Sequence, residues 1–248
     1  MLPVTARPQP PTATTSLHCY VVCRPDLDVP EGPGVGGAEL EFVTDGPLAV
    51  LASPLPPGTE PGDRASLASH VRVVDDAFAA GVVIPLRFPT VAPSRQHTVT
   101  QLIRPWREAL LGALDRLEGR EEVRLRLTYD ENAAVAEALA ARPWLAALRG
   151  RPEAALRLGR GIVSALREQA RRDAGAALKT LRPVLNDVRI DAAGGERDAL
   201  IASVLVPRDH TDRVEELVTE WASTRPAVQV RVIGPLPPYS FAPAGGTG

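Results

Sequence analysis

Lysine is nearly missing from this chain. Lys179 is the only one, and every other basic side chain is Arg. A GC-rich coding sequence imposes such a bias, so no function is read from it. Cysteine is also scarce. Cys19 and Cys23 fall on an expected strand, where they face one side about 13 Å apart. A disulfide spans Cα atoms no more than ~7 Å apart, so the two do not pair and suit a reducing compartment. Neither stands in a CxxC pattern or a Cys–His cluster. The four histidines, His18, His70, His97 and His210, show no metal-ligand spacing. No metal site and no cofactor are assigned.

Long apolar runs are absent. No stretch approaches the ~18 consecutive apolar residues of a membrane span. The segment Met1 to Ser16 is rich in Pro and Thr and has no apolar core of signal-peptide length. The expectation is a cytoplasmic, soluble chain with no lipid membrane as partner. Net charge is only −2, which gives no general bias toward nucleic acid. No Ser stands in a G-x-S-x-G context. The Gly-rich run 32–37 lacks the G-K-[ST] ending of a phosphate loop and precedes a strand rather than a helix. Carboxylate pairs (Asp75-Asp76, Glu121-Glu122, Asp130-Glu131, Glu215-Glu216) sit at element ends and on helix faces and are read as solvated surface. No catalytic residue is assigned, and the chain is not expected to be an enzyme.

The 248 residues, 44% of them hydrophobic, suffice for a sizeable core. Residues 1–16 and 243–248 are expected to be disordered. Between them the pattern divides into residues 17–119 and 120–242. The first part reads as strands at Leu17 to Cys23, Glu39 to Thr44 and Leu48 to Ser53, with a hairpin signal at Asp45-Gly46. A helix over Ala65 to Ala80 follows, its buried stripe placed at Leu67, Val71, Val74 and Phe78. Then come a strand, Val82 to Phe88, and a helix, Val99 to Leu117, lined by Leu102, Ile103, Trp106, Leu110, Leu114 and Leu117. The whole is a compact α+β unit.

The second part alternates Val123, Leu125 and Leu127 with Arg124, Arg126 and Thr128, a half-buried strand. A helical region, 131–181, is broken by Pro143 and Gly150-Arg151-Pro152. Strands at Pro183 to Ile190 and Ala199 to Val206, a helix from Asp209 (its expected N-cap) to Ser223, and a strand at Ala227 to Ile233 complete it. The order β-α-β-β-α-β is ferredoxin-like, with the first helix enlarged into an insertion. The fold class is therefore α+β in two domains.

Within the insertion, Arg157, Arg160, Arg167 and Arg171 share one helix face, and Leu156, Val163, Leu166 and Ala170 share another. The cationic face is either a solvated surface or a contact for an acidic partner protein. Near the C-terminus, Gly234-Pro235-Leu236-Pro237-Pro238-Tyr239-Ser240-Phe241 is stiffened by its prolines. It is read as a strap that presses Tyr239 and Phe241 onto its own domain, rather than as a linear ligand. A second unusual run, Ile84-Pro85-Leu86-Arg87-Phe88-Pro89-Thr90-Val91, lies in the first half.

Together these runs resemble the GvpL/GvpF family of gas vesicle proteins. The family carries a V-L-P-[LV]-R-F-G-T-type strand after a helix with a His, which His70 matches. It ends in G-P-[WL]-P-P-Y-S-F, and Pro183-Val184-Leu185-Asn186 resembles a further family segment. The chain departs at Pro89, where a Gly is usual, and in its first strand, which lacks a Tyr-Gly pair. The resemblance covers Leu17 to Ala242. Pro85, Leu86, Arg87, Phe88, Gly234, Pro235, Pro238, Tyr239 and Phe241 carry it as structural motif residues. It implies a non-enzymatic accessory protein of gas vesicle assembly, located at the gas vesicle in the cytoplasm. The partners it implies are the major shell protein and other accessory proteins. It also implies two α+β domains, the C-terminal one a modified ferredoxin fold. The competing reading is a ferredoxin-like regulatory module that binds a small molecule.

Overall fold

The computed structural model describes residues 15–191, 195 and 197–243. The chain is α+β, and its two four-stranded antiparallel sheets lie in two compact units, one running to Arg116 and one spanning Leu117–Phe241. Most of the disorder expected at the two ends falls outside the described residues. Of the described ones, Ser16 is held: its carbonyl accepts a 2.8 Å bond from the Leu55 amide.

In the first unit β1 (Leu17–Cys23), β2 (Glu41–Asp45), β3 (Leu48–Pro54) and β4 (Ile84–Ala92) form a sheet in the order β2-β3-β1-β4. Asp45 pairs directly with Leu48, so the hairpin turns on Gly46-Pro47 alone, with Gly46 at φ 63°. Helix α1 (Arg64–Ala80) covers one face. Its core stripe is His70, Val73, Val74 and Ala77. The expected stripe is thus rotated: Leu67 and Val71 are exposed, because the buried face follows the polar His70 inward. A bulge between Cys19 and Val21 breaks the alternation of β1. Cys23 consequently packs in the cluster beneath α1, whereas the Cys19 thiol meets Thr98 and Ala92. The two cysteines therefore do not share a side, contrary to the simple alternation.

The region 95–117 is not one helix. A short α2 (Arg95–His97) leads into a π-helical turn, Thr98–Ile103, and a 3-10 turn, Arg104–Trp106, before α3 (Arg107–Leu117). Pro105 has no amide hydrogen to continue an α ladder. The break rotates Trp106 outward to 38% exposure, while Ile103, Leu110 and Leu114 stay buried.

In the second unit β5 (Arg120–Tyr129), β6 (Asp187–Ile190), β7 (Asp198–Pro207) and β8 (Val228–Leu236) form a sheet in the order β6-β7-β5-β8. Between β5 and β6 lie α4 (Glu131–Ala140), α5 (Pro143–Ala146) and the 26-residue α6 (Ala155–Thr180). Helix α7 (Thr211–Ser223) precedes β8. Val123, Leu125, Leu127, Ala202, Val204 and Val206 pack against Ala177 and Leu181 from the end of α6 and Val214, Val218 and Trp221 from α7. A satellite cluster joins Ala138, Leu139, Leu145 and Ala165 of the three inserted helices. Gly161 is the point of closest approach there, since a Cβ would lie 2.2 Å from the Leu145 side chain.

Candidate functional site

The residues singled out in the sequence fall into three places. The first is β4. Leu86 is fully buried, Arg87 is exposed and Phe88 is half-buried. The Leu86 carbonyl accepts a 3.2 Å hydrogen bond from Nε2 of His70. That bond fixes the tautomer: His70 Nδ1 carries no proton and accepts, at 3.0 Å, from Nε2 of His18. Both rings are buried, and the Tyr20 and Phe88 rings pack around them. Burial first, then the charge of His70, pushes His18 down to about 4. Burial likewise pushes His70 down to about 4, against the opposing pull of the Leu86 carbonyl. Tyr20, two residues along β1, bonds Ser53 at 2.7 Å and accepts the Val35 amide at 2.7 Å, pinning the Gly-rich loop to the sheet. The separation of His18 and His70 by 52 positions gave no metal-ligand signal in the sequence, and it hid this pair as well.

The second place is the strap. Gly234 and Pro235 belong to β8, and a Cβ on Gly234 would crowd Thr211 at 3.1 Å and Val123 at 3.2 Å. Pro237 and Pro238 are buried, and Tyr239–Phe241 closes as a 3-10 turn. Phe241 is 1% exposed, whereas Tyr239 is 40% exposed; only one of the two aromatics is driven home. The fastening is Glu122. Its carboxylate accepts the Ser240 amide at 2.8 Å and the Ser240 hydroxyl at 2.7 Å.

Its neighbour Glu121 does similar work on α7, accepting from the Asp209 amide at 3.3 Å, the Thr211 amide at 3.0 Å and the Thr211 hydroxyl at 2.6 Å. Asp209 is therefore not the cap. It sits at φ 66°, and α7 is capped from β5. Both glutamates are 4% exposed, which overturns their reading as solvated surface. A register irregularity between Glu122 and Arg124 marks this end of β5.

The third place is α6. Arg157, Arg160, Arg167 and Arg171 are all exposed, and none forms an ion pair or side-chain hydrogen bond with a described residue. Nearby Arg142 and Arg172, by contrast, both grip Glu168 at 2.6 Å. The apolar face expected on this helix is only partly internal. Leu156 is 69% exposed and Val163 47%; Leu158, Ile162 and Ala165 make the contact with α4 and α5 instead.

A concavity of about 550 Å³ opens at the end of the second sheet, lined by Arg126, Thr128, Tyr129, Asn132 and Arg231 among others. Its charges are largely answered from within, Arg126 by Asp198 at 2.8 Å and Arg197 by Glu131 at 3.1 Å. Among the described residues no three His, Cys, Asp or Glu side chains gather as a metal site would require. No described helix is long and apolar enough to cross a membrane.

The family model for gas vesicle synthesis protein GvpL/GvpF matches residues 16–243. The chain belongs to that family. Gas vesicle protein F of Streptomyces sp. (strain CB03234) is 30% identical over 241 residues, covering 91% of this chain and 99% of its own length. Gas vesicle protein L of the same strain is 29% identical over 252 residues, covering 91% and 92%. Gas vesicle protein L2 of Halobacterium salinarum is 30% identical over 197 residues, covering 71% and 70%. The fold matches the crystal structure of GvpF from Anabaena sp. PCC7120 with a TM-score of 0.81 at 22% identity, over 93% of this chain and 99% of that one. GvpF from Microcystis aeruginosa matches with a TM-score of 0.76 at 20% identity, over 93% and 100%. This GvpF/GvpL family protein is thus involved in gas vesicle assembly.

Proposed function

We propose that this GvpL/GvpF protein is a non-enzymatic assembly factor or minor component of the gas vesicle in the cytoplasm. It acts by binding the major shell protein and other accessory proteins, and uses neither nucleic acid nor a lipid membrane. The observation that carries the reading is the family match over residues 16–243, which includes both motif strands. Its second unit is a modified ferredoxin-like domain. The element order β5-helices-β6-β7-α7-β8 and the sheet order β6-β7-β5-β8 support that description. The physical task is to hold a strongly apolar shell subunit in an assembly-competent state, by receiving one of its amphipathic helices or strand edges. Deletion of the gene and pull-down of the shell protein test it. The expected result is loss of vesicles together with capture of the shell protein by the tagged chain. Normal vesicles in the deletion strain and no capture would overturn it.

A further inference from the structure

The outer side of α6 carries a stripe that changes character along the helix. Leu156, Val163, Ala170 and Ala177 recur every seven residues, with Arg160, Arg167 and Ala174 interposed four residues after each of the first three. At the C-terminal end this stripe is internal. Ala177 is fully buried, Ala174 packs on the main core of the second unit, and Ala170 packs beside Tyr129. Toward the N-terminus the same stripe emerges: Val163 is 47% exposed and Leu156 69%. Helices α4 and α5 do not cover it there, because they pack on the opposite face of α6 through Leu158, Ile162 and Ala165. Arg157 and Arg171 lie beside the stripe on one flank.

We infer that this exposed half-stripe is the docking seat for an amphipathic helix of a partner protein, one with an apolar heptad stripe flanked by Asp or Glu. The inference rests on the proposed vesicle role for the identity of the partner, not for the chemistry. In the exposed half Leu156 and Val163 take one seam position of a heptad and Arg160 and Arg167 take the other, so a partner helix meets apolar and cationic positions in alternation. The seat continues a stripe that is already an interface inside the molecule. Four exposed arginines, none with an ion pair to a described residue, lie within the stripe and along one flank of it, which makes this face complementary to anionic side chains. A symmetric pairing of this face with itself in a second copy would set arginine against arginine, which disfavours that occupant.

The test uses the full chain and two synthetic coiled-coil peptides with Leu at the a and d positions, one with Glu at e and g and the other with Lys. Binding is read by fluorescence anisotropy at low and high salt. The Glu peptide should bind at least tenfold tighter than the Lys peptide. That advantage should shrink as salt rises from about 0.05 to 0.5 M, since exposed charges are then screened. Val163→Asp should abolish binding, and the double change Arg160→Glu with Arg167→Glu should switch the preference to the Lys peptide. All of these positions are exposed, so the variants should melt with the parent, which separates loss of the seat from loss of the fold. Equal binding of both peptides would overturn the proposal. So would binding that survives both variants, tighter binding of a DNA duplex than of the Glu peptide, or self-association that depends on Val163.

Complementation of a deletion strain separates the two readings. Restoration of vesicles by the parent but not by the Arg160→Glu, Arg167→Glu variant assigns the seat to assembly. Restoration by both removes the seat from assembly and leaves the vesicle role standing. Normal vesicles in the deletion strain overturn the vesicle role alone.

Discussion

Acid should unlock the first unit through the buried His18–His70 pair. In the folded chain both imidazoles stay neutral down to about pH 4. In the unfolded chain each takes a proton near pH 6.5. The unfolded state therefore binds more protons between these values, and stability falls as pH drops through that window. A tenfold difference in proton affinity between the two states corresponds to about 1.4 kcal/mol, so between pH 7 and 5 each ring withdraws about 2 kcal/mol and the pair about 4. Against a typical folding free energy of about 5–15 kcal/mol, that is a large share. With a urea slope near 2 kcal/mol/M, the unfolding midpoint should fall by roughly 2 M.

Urea unfolding at pH 7 and 5 measures the drop, and the same pair of curves for His18→Leu isolates the contribution of His18, since carboxylates affect both proteins alike. The variant should lose about half of the pH dependence. Because such a variant also alters packing, proton NMR of the parent supplies a second measurement: the ring resonances of His18 and His70 should not titrate above pH 5. A ring that titrates at pH 6 or higher, or a pH dependence unchanged by the substitution, would refute the reasoning.

Three further outcomes are expected. Glu121→Ala should destabilise the second unit by about 1–3 kcal/mol, because two amides and a hydroxyl at the start of α7 lose their acceptor; calorimetry checks it. Phe241→Ala should cost about 3–5 kcal/mol, and Tyr239→Ala clearly less, since only Phe241 is fully inserted; equal losses would mean that both rings anchor the strap. Burial pushes both thiols up to about 12, so Cys19 and Cys23 should resist a thiol-specific disulfide reagent at pH 8 in the native protein and react together once it is unfolded.

Periodicity made much of the scaffold legible. The alternation of Val123, Leu125 and Leu127 is the core side of β5, and Pro143 and Gly150-Arg151-Pro152 do separate the inserted helices. The misreadings share a physical origin. Leu67, Val71, Leu156 and Val163 are apolar and regularly spaced, but which side of a helix is buried is decided by the element packed against it. Glu121 and Glu122 looked like surface because nothing local shows that β5 begins beside the start of α7 and the strap. Their acceptors serve residues 88 to 118 positions away. The His18–His70 pair was hidden for the same reason, and so was the loss of alternation at the Cys19 bulge.

The two sheets have one spatial order. In each unit the strands run second, third, first, fourth, as β2-β3-β1-β4 and as β6-β7-β5-β8, and in each a helix joins the third strand to the fourth. What differs is the first crossover. In the first unit it is a Gly- and Pro-rich loop, tied down by the Tyr20 hydroxyl at Val35 and packed through Val35 and Leu40 beneath α1. In the second it is the excursion through α4, α5 and α6. A crossover needs only to connect strands already held by their own ladder, so it can lengthen without disturbing the sheet. That freedom explains why the exposed stripe of α6 lies where it does. The C-terminal half of the helix is committed to the core of the second unit, and the N-terminal half is supported by its own small cluster. Changes to Leu156, Val163 or the four arginines should therefore alter what the protein binds while leaving both sheets intact.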